Sequence, residues 1–317
     1  MPLVTKIAVC VLCACTVAES LAAQTSNERV LGRWDLTLQT TDGSAPSWLE
    51  VTRSGRDAYV GRFVGIVGSA RPVSRIEVRG DSLRFAIPHQ WENGDGDLIV
   101  QGHADMSGGL AGEMTFPDGS RATWKAVRAP ALDRATPAWG SPVALLSANS
   151  LAGWKIVGVT AGGTTNQWVV ENGVLRSPRS GANLVTTQAF GDFKLHIEFR
   201  YPQGGNSGVY LRGRHEVQIE DTRGRPTPVG FSGVYGFIEP TENAAGAPGE
   251  WQTFDITLVG RRVTVVANGK TVICDREIPG ITGGALDSDE GAPGPLMLQG
   301  DHAPIEFRNI VLTPARR

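Results

Sequence analysis

The chain has little cysteine to spend on covalent structure: four in 317 residues, with Cys10, Cys13 and Cys15 crowded near the start. Without that opening segment Cys274 stands alone and no intrachain disulfide can form. Its setting, VTVVANGKTVICD, predicts a buried and inert strand thiol. An excess of one charge is also missing. Thirty Lys and Arg oppose 32 Asp and Glu, for a net charge of −2, and the basic residues are scattered. No phosphate-tracking surface follows, which excludes nucleic acid as the expected partner. The longest apolar run, Ile7 to Val17, falls short of the ~20 residues that a membrane-spanning helix needs. There is no G-x-x-x-x-G-K-S/T loop and no G-x-G-x-x-G between a strand and a helix, so nucleotide chemistry is disfavoured. H-E-x-x-H does not occur, and the one C-x-x-C, Cys10 to Cys13, falls in the opening apolar segment, which sets aside zinc carried by a local motif in the rest of the chain.

What is present reads as all-β. Forty glycines and nineteen prolines bound many short Val, Ile and Leu runs, the signature of antiparallel strands, and no long amphipathic helix is seen. Lys6, the apolar run and Ser20-Leu21-Ala22-Ala23 make residues 1–23 a signal peptide and the product an exported, periplasmic or extracellular protein. Leu12-Cys13-Ala14-Cys15 loosely resembles a lipobox, so lipidation at Cys15 is the alternative. Residues 30–128 show about eight alternating strands, enough to close a small barrel, and Gly32-Arg33-Trp34 resembles the G-x-W start of lipocalin-like domains. Pro130, Pro137 and Pro142 mark a linker over 129–142. From 143 to 315 strands continue, with hairpin signals at Asn172-Gly173 and Asn268-Gly269. So many meandering strands predict a two-sheet jelly-roll sandwich.

One stretch, Asp192 to Asp221, carries the chemistry. Side chains alternate between faces along a strand, so Lys194, His196, Glu198 and Arg200 share one side. Past the Gly204-Gly205 turn, Tyr210 and Arg212 oppose Val209 and Leu211, and Glu216, Gln218 and Glu220 oppose His215, Val217 and Ile219. Carboxylates, amides and guanidiniums on shared faces beside a glycine-rich turn suit a sugar surface, although a solvated face remains the competing reading. Asn206 and Ser207 at the turn offer an amide and a hydroxyl. Tyr210, Tyr235 and Trp251 offer flat rings for stacking. No cofactor is firmly predicted. The loop with Asp287, Asp289 and Glu290 leaves room for a divalent cation.

Several ordered runs (GDFKLHIEFRYPQGGNSGVYLRGRHEVQIED, GVYGFIEP, GEWQTFDITLVG, VTVVANGKTV and GPLMLQGDHAPIEFRNIVL) span Leu145 to Pro314 and resemble the 3-keto-disaccharide hydrolase family. The resemblance implies a concanavalin A-like lectin and glucanase sandwich. It also implies action on oxidised glycosides or disaccharides, as a 3-keto-glucoside 1,2-lyase, a 3-keto-2-hydroxy-glucal hydratase or both, with net hydrolysis. A separate sugar 3-dehydrogenase would have to supply the substrate. A ketone at C3 acidifies the C2 hydrogen, so a base can remove it and the C1 substituent can leave. The resemblance puts Glu216 and Gln218 in the sugar cleft. Glu216 is the first choice for base, and His302, with Gln299 and Asp301 beside it, for the acid on the leaving oxygen. Arg212 or Arg200 would stabilise the enolate, and Glu198 would bind substrate or pair with Arg212. The alternatives are a lectin-like module without turnover, a conventional glycoside hydrolase with two spaced carboxyls, and a structural β module.

Overall fold

A computed structural model describes residues 28–158, 166–222, 226–302 and 304–316. The expected signal peptide and the Cys15 lipidation site lie outside them. Among the described residues no helix is long and apolar enough to cross a membrane. The chain divides into two compact units, one built from most of residues 28–128 and the other chiefly from Ala129 onward.

In the N-terminal unit, β1 (Gly32–Thr40), β2 (Gly43–Ser54), β3 (Ala58–Val64), β4 (Arg71–Arg79), β5 (Ser82–Pro88), β6 (Asp97–Ala104), β7 (Leu110–Thr115) and β8 (Arg121–Arg128) form a closed barrel in chain order. Closure comes from β1 pairing antiparallel with β8, Trp34 opposite Arg128. Alternation places Trp34, Leu36 and Leu38 of β1, and Ala122, Trp124 and Ala126 of β8, in the interior. Trp124 fits because glycine stands beneath it: a Cβ on Gly102 or Gly112 would lie 2.4 or 2.7 Å from its ring. Arg128 stacks 4.3 Å above the Trp34 ring and donates to the Leu31 carbonyl at 2.8 Å. The arginine thus covers the barrel's entry tryptophan.

The second unit is a two-sheet sandwich, as the strand pattern predicts. Its strands are β9 (Val143–Ala144), β10 (Trp154–Val157), β11 (Val169–Glu171), β12 (Val174–Ser177), β13 (Asn183–Phe190), β14 (Phe193–Arg200), β15 (Asn206–Leu211), β16 (His215–Glu220), β17 (Gln252–Val259), β18 (Arg262–Ala267), β19 (Lys270–Glu277), β20 (Gly294–Leu298) and β21 (Ile305–Pro314). The smaller sheet runs β10-β13-β20-β15-β16. The larger runs β11-β12-β21-β14-β17-β18-β19, with β9 paired to β21. Between the sheets lie Leu195, Ile197, Phe199, Phe254 and Ile256 from the larger and Leu184, Val209, Leu211, Val217, Ile219 and Leu298 from the smaller. Each fully buried aliphatic or aromatic side chain here contributes about 1.5–3 kcal/mol.

Because β15 and β16 keep strict alternation, their other side chains are turned to the opposite face of the smaller sheet, where the polar residues of the E-V-Q segment meet. Cys274 departs from expectation and is exposed. The β18–β19 register slips beside it, and Val272 and Ile273 are buried in succession. A bulge changes the facing of the residues that follow, so Cys274 faces out.

Candidate active site

The outer face of the smaller sheet carries a largely buried polar patch. In the β15–β16 ladder Tyr210 stands opposite Glu216, Gly208 opposite Gln218 and Asn206 opposite Glu220. Directly paired residues share a face, so these six line one surface. On the other side of β15, Met297 pairs with Tyr210, and the Gln299 N–H donates to the Gly208 carbonyl at 3.0 Å. Asp301 and His302 follow two and three residues later. Beyond β16, the segment Ser232–Tyr235 returns along the edge, with the Tyr235 N–H donating to the Glu216 carbonyl at 3.0 Å. The centre of the patch is therefore a glycine, ringed by Glu216, Gln218, Glu220, Asn206, Gln299 and Tyr210.

Glu216 is 3% exposed. The Tyr210 hydroxyl is 2.9 Å from Glu216 Oε2 and 3.0 Å from the Gly283 carbonyl oxygen. A phenol has one proton for these two acceptors. All three groups are satisfied only when Glu216 keeps its own proton and donates it to the phenolic oxygen, while Tyr210 donates to Gly283. Burial points the same way. It pushes the Glu216 carboxyl up to about 8 against the pull of the Tyr210 hydrogen bond, and the charges of Asp301 and Glu220 push further. Burial raises Tyr210 as well. Glu216 is thus a neutral acid at neutral pH.

The far end of the patch is different. Glu220 is raised by partial burial, and the positive charge of His302 works against that rise. His302 is half exposed, with Nε2 3.8 Å from Asp301 Oδ1. Among the described residues, the amide oxygens Asn206 Oδ1, Gln218 Oε1 and Gln299 Oε1 are buried with no hydrogen-bond donor, and Asp301 Oδ1 has no hydrogen bond beyond its His302 ion-pair contact. A buried acceptor left unpaired costs about 1–3 kcal/mol. Three such amide oxygens and a carboxylate on one sheet face suit a ligand bearing several hydroxyls.

The expected site residues separate into two groups. Glu216, Gln218, Tyr210, Asn206, Tyr235, Gln299, Asp301 and His302 come together. Ser207 does not: it has the opposite parity from Asn206, is buried, and donates to the Gln299 carbonyl at 2.8 Å. Arg212 takes a positive φ of 53° at the end of β15, and its side chain is buried, donating to the Gly260 carbonyl at 2.8 Å. Burial lowers it to about 10, with Glu290 opposing, and it lies beside His215 rather than over the patch. Glu198 and Arg200 belong to β14 of the larger sheet. Glu198 accepts from Arg308 at 2.6 Å and from Asn309, not from Arg212, and Arg200 donates to Glu306 at 2.6 Å. Trp251 is there too, with Arg200 and Arg308 stacked on its ring.

Two of the three acidic loop residues are paired with arginines. Asp287 accepts from Arg214 at 2.6 Å, and buried Glu290 pairs with Arg261. Among the described residues no cluster of three or more His, Cys, Asp or Glu is placed to hold a metal. Glu220 and Gly208 carried no role in the sequence reading. The alternation E-V-Q-I-E already put Glu220 on the Glu216 face, whereas nothing local reveals that Gly208 lies under a carboxyl.

Residues 141–313 match the family described as the 3-keto-alpha-glucoside-1,2-lyase-like domain. No curated protein gives a significant match. Similar solved structures include two candidate glycosyl hydrolases from Parabacteroides distasonis ATCC 8503. One is 28% identical with a TM-score of 0.46, covering 59% of this chain and 93% of its own. The other is 24% identical with a TM-score of 0.42, covering 55% of this chain and 98% of its own. On the family match, which spans more than half of its length, the chain belongs to the 3-keto-alpha-glucoside-1,2-lyase-like domain family.

Proposed function

We propose that the sandwich unit of this carbohydrate-active enzyme binds a 3-keto glycoside or disaccharide at the Gly208 patch and cleaves it by elimination across C1 and C2. Hydration of the resulting glycal would complete a net hydrolysis. The observation that carries this reading is the gathering of three unpartnered amide oxygens, the Asp301 carboxylate, the buried Glu216 carboxylic acid and the partly buried Glu220 carboxyl group around Gly208 on one sheet face. The acceptors match sugar hydroxyls, and Tyr235 provides a ring at the edge. A lectin would use the acceptors and the ring but has no use for an acid held protonated by burial. Elimination needs both a proton acceptor and a proton donor within reach of one ring.

The oxidised substrate has to come from a sugar 3-dehydrogenase acting upstream, because the ketone is already in place when elimination begins. Export to the periplasm or beyond is part of the same proposal. N-terminal sequencing of the mature protein, expected to begin just after Ala22 or Ala23, checks it.

The direct test is incubation with 3-keto-trehalose or a chromogenic 3-keto-glucoside in deuterated water. Product release together with deuterium at C2 is expected. Product without C2 deuterium would replace elimination by conventional hydrolysis, and tight binding without product would leave a lectin.

A further inference from the structure

Glu220 is the carboxylate of the patch for which the sequence supplies no role. It leaves β16 on the same side as Glu216 and Gln218, since four residues preserve parity, and Asn206 faces it across the ladder. His302, 3.8 Å from Asp301, lies near enough for its charge to act on Glu220. Glu216 begins roughly 13 Å away along the strand at about 3.3 Å per residue. Its carboxyl leans back over Gly208, however, where a Cβ would lie 2.2 Å from Oε1. The two ends of the patch thus differ in kind. One holds a carboxylic acid tied into a Tyr210–Gly283 chain that is complete only when the acid is protonated. The other holds a partly buried carboxyl group close enough to an imidazole to feel its charge.

We propose that Glu220, supported by His302, is the base that takes the C2 proton, and that Glu216 is the acid that protonates the departing oxygen. The assignment rests on the 3-keto-glycoside reading above and reverses the expected order, in which Glu216 abstracts and His302 donates. In the first step the Glu220 carboxylate takes the C2 proton, and the C2–H electron pair becomes the C2–C3 double bond of an enolate with its charge on the C3 oxygen. In the second the enolate returns to a ketone and a C1–C2 double bond forms. The C1–O bond breaks with its pair on the oxygen, and that oxygen takes the Glu216 proton. Glu220 finishes protonated and Glu216 ionised, so one proton returned through solvent or Tyr210 restores the starting state. Nothing is oxidised or reduced.

The test uses the full chain and a series of 3-keto-glucosides whose leaving groups range from acidic nitrophenols to alkyl alcohols. Glu220→Gln is expected to slow release of every leaving group by about 10²-fold or more, the usual worth of a positioned base. Glu220→Asp, which keeps a carboxylate, should recover part of that loss. Glu216→Gln should stay within about tenfold of wild type for nitrophenols, which leave without help, and lose about 10²-fold for alkyl alcohols. Thermal unfolding of each variant separates these effects from misfolding. Glu220→Gln within tenfold of wild type, or a Glu216→Gln loss equal for all leaving groups, overturns the proposal. Wild type that turns over none of the series brings down the 3-keto reading itself, a distinguishable result.

Discussion

Gly208 lies directly beneath the Glu216 carboxyl: a Cβ at position 208 would stand 2.2 Å from Oε1 and 2.9 Å from Cδ. Its φ is outside the left-handed region, so the glycine is there for space and not for backbone freedom. Gly208→Ala should therefore fold while pushing the carboxyl off its Tyr210 contact. Overpacking of this kind costs about 1–3 kcal/mol, and a displacement near 1 Å can cost about 10²-fold in rate. The expected outcome is a modest fall in unfolding free energy with a large fall in kcat on alkyl 3-keto-glucosides. Wild-type kcat in this variant would show that Glu216 need not occupy that position.

Glu216 also gives stability a dependence on pH. Its carboxyl is raised to about 8 in the folded protein, by burial first, and titrates near 4.3 when the chain is unfolded. Between those values the folded state holds a proton that the unfolded state has released, so stability falls as pH rises. The contribution is complete below the unfolded value and lost on passing through the folded one. The slope from this group is at most about 1.4 kcal/mol per pH unit. Denaturant unfolding from pH 5 to 8 should show this decline in wild type, and Glu216→Gln should flatten it. Equal slopes in the two proteins would mean that Glu216 is ionised when buried.

Strand alternation made much of this legible before any coordinates. The strand facing of Glu216, Gln218 and Tyr210 follows from period-two spacing, while the assignment of Glu216 and Gln218 to a sugar cleft came with the family resemblance. Asn206 and His302 followed only with the turn and family motifs. The residues that were misplaced fail for identifiable reasons. Glu198 and Arg200 obey the same alternation on β14, but sequence cannot say that β14 belongs to the other sheet, next to β17 and β21. Arg212 breaks parity because the backbone turns left-handed there. Cys274 follows a register slip, which short-range pattern does not encode.

The second charged cluster should prove structural. Arg261 donates to Glu290 and to the Ile278 and Pro279 carbonyls, and His215 Nε2 is 3.8 Å from Glu290. Burial, then the Arg212 and Arg261 charges, push His215 well down, so it is neutral and adds no charge. Glu290 is the carboxylate that offsets Arg261 and Arg212 in this cluster. Removing one partner of a buried pair costs about 3–5 kcal/mol, because the other charge remains. Glu290→Ala should lower the unfolding free energy by about that much, while the folded fraction retains wild-type kcat on 3-keto-glucosides. A specific kcat loss at full folding would tie this cluster to the patch.

The last expectation contrasts the two sheets. Glu198 pairs with Arg308 and Asn309 on the larger sheet. Burial would raise its carboxyl, yet the Asn309 and Arg308 hydrogen bonds outweigh that and hold it low. Arg308 is over one-third exposed, and such pairs contribute about 0–1 kcal/mol. Glu198→Ala and Arg200→Ala should therefore leave kcat/KM within about twofold of wild type and shift stability by no more than about 1 kcal/mol. Gln218→Ala and Gln299→Ala should behave oppositely. Each removes an acceptor that a sugar hydroxyl would satisfy, a loss of about 0.5–1.5 kcal/mol, and should raise KM several-fold with the fold intact. If the larger-sheet pair raises KM while the two glutamines do not, the sugar sits on β14 and the Gly208 patch is not the site.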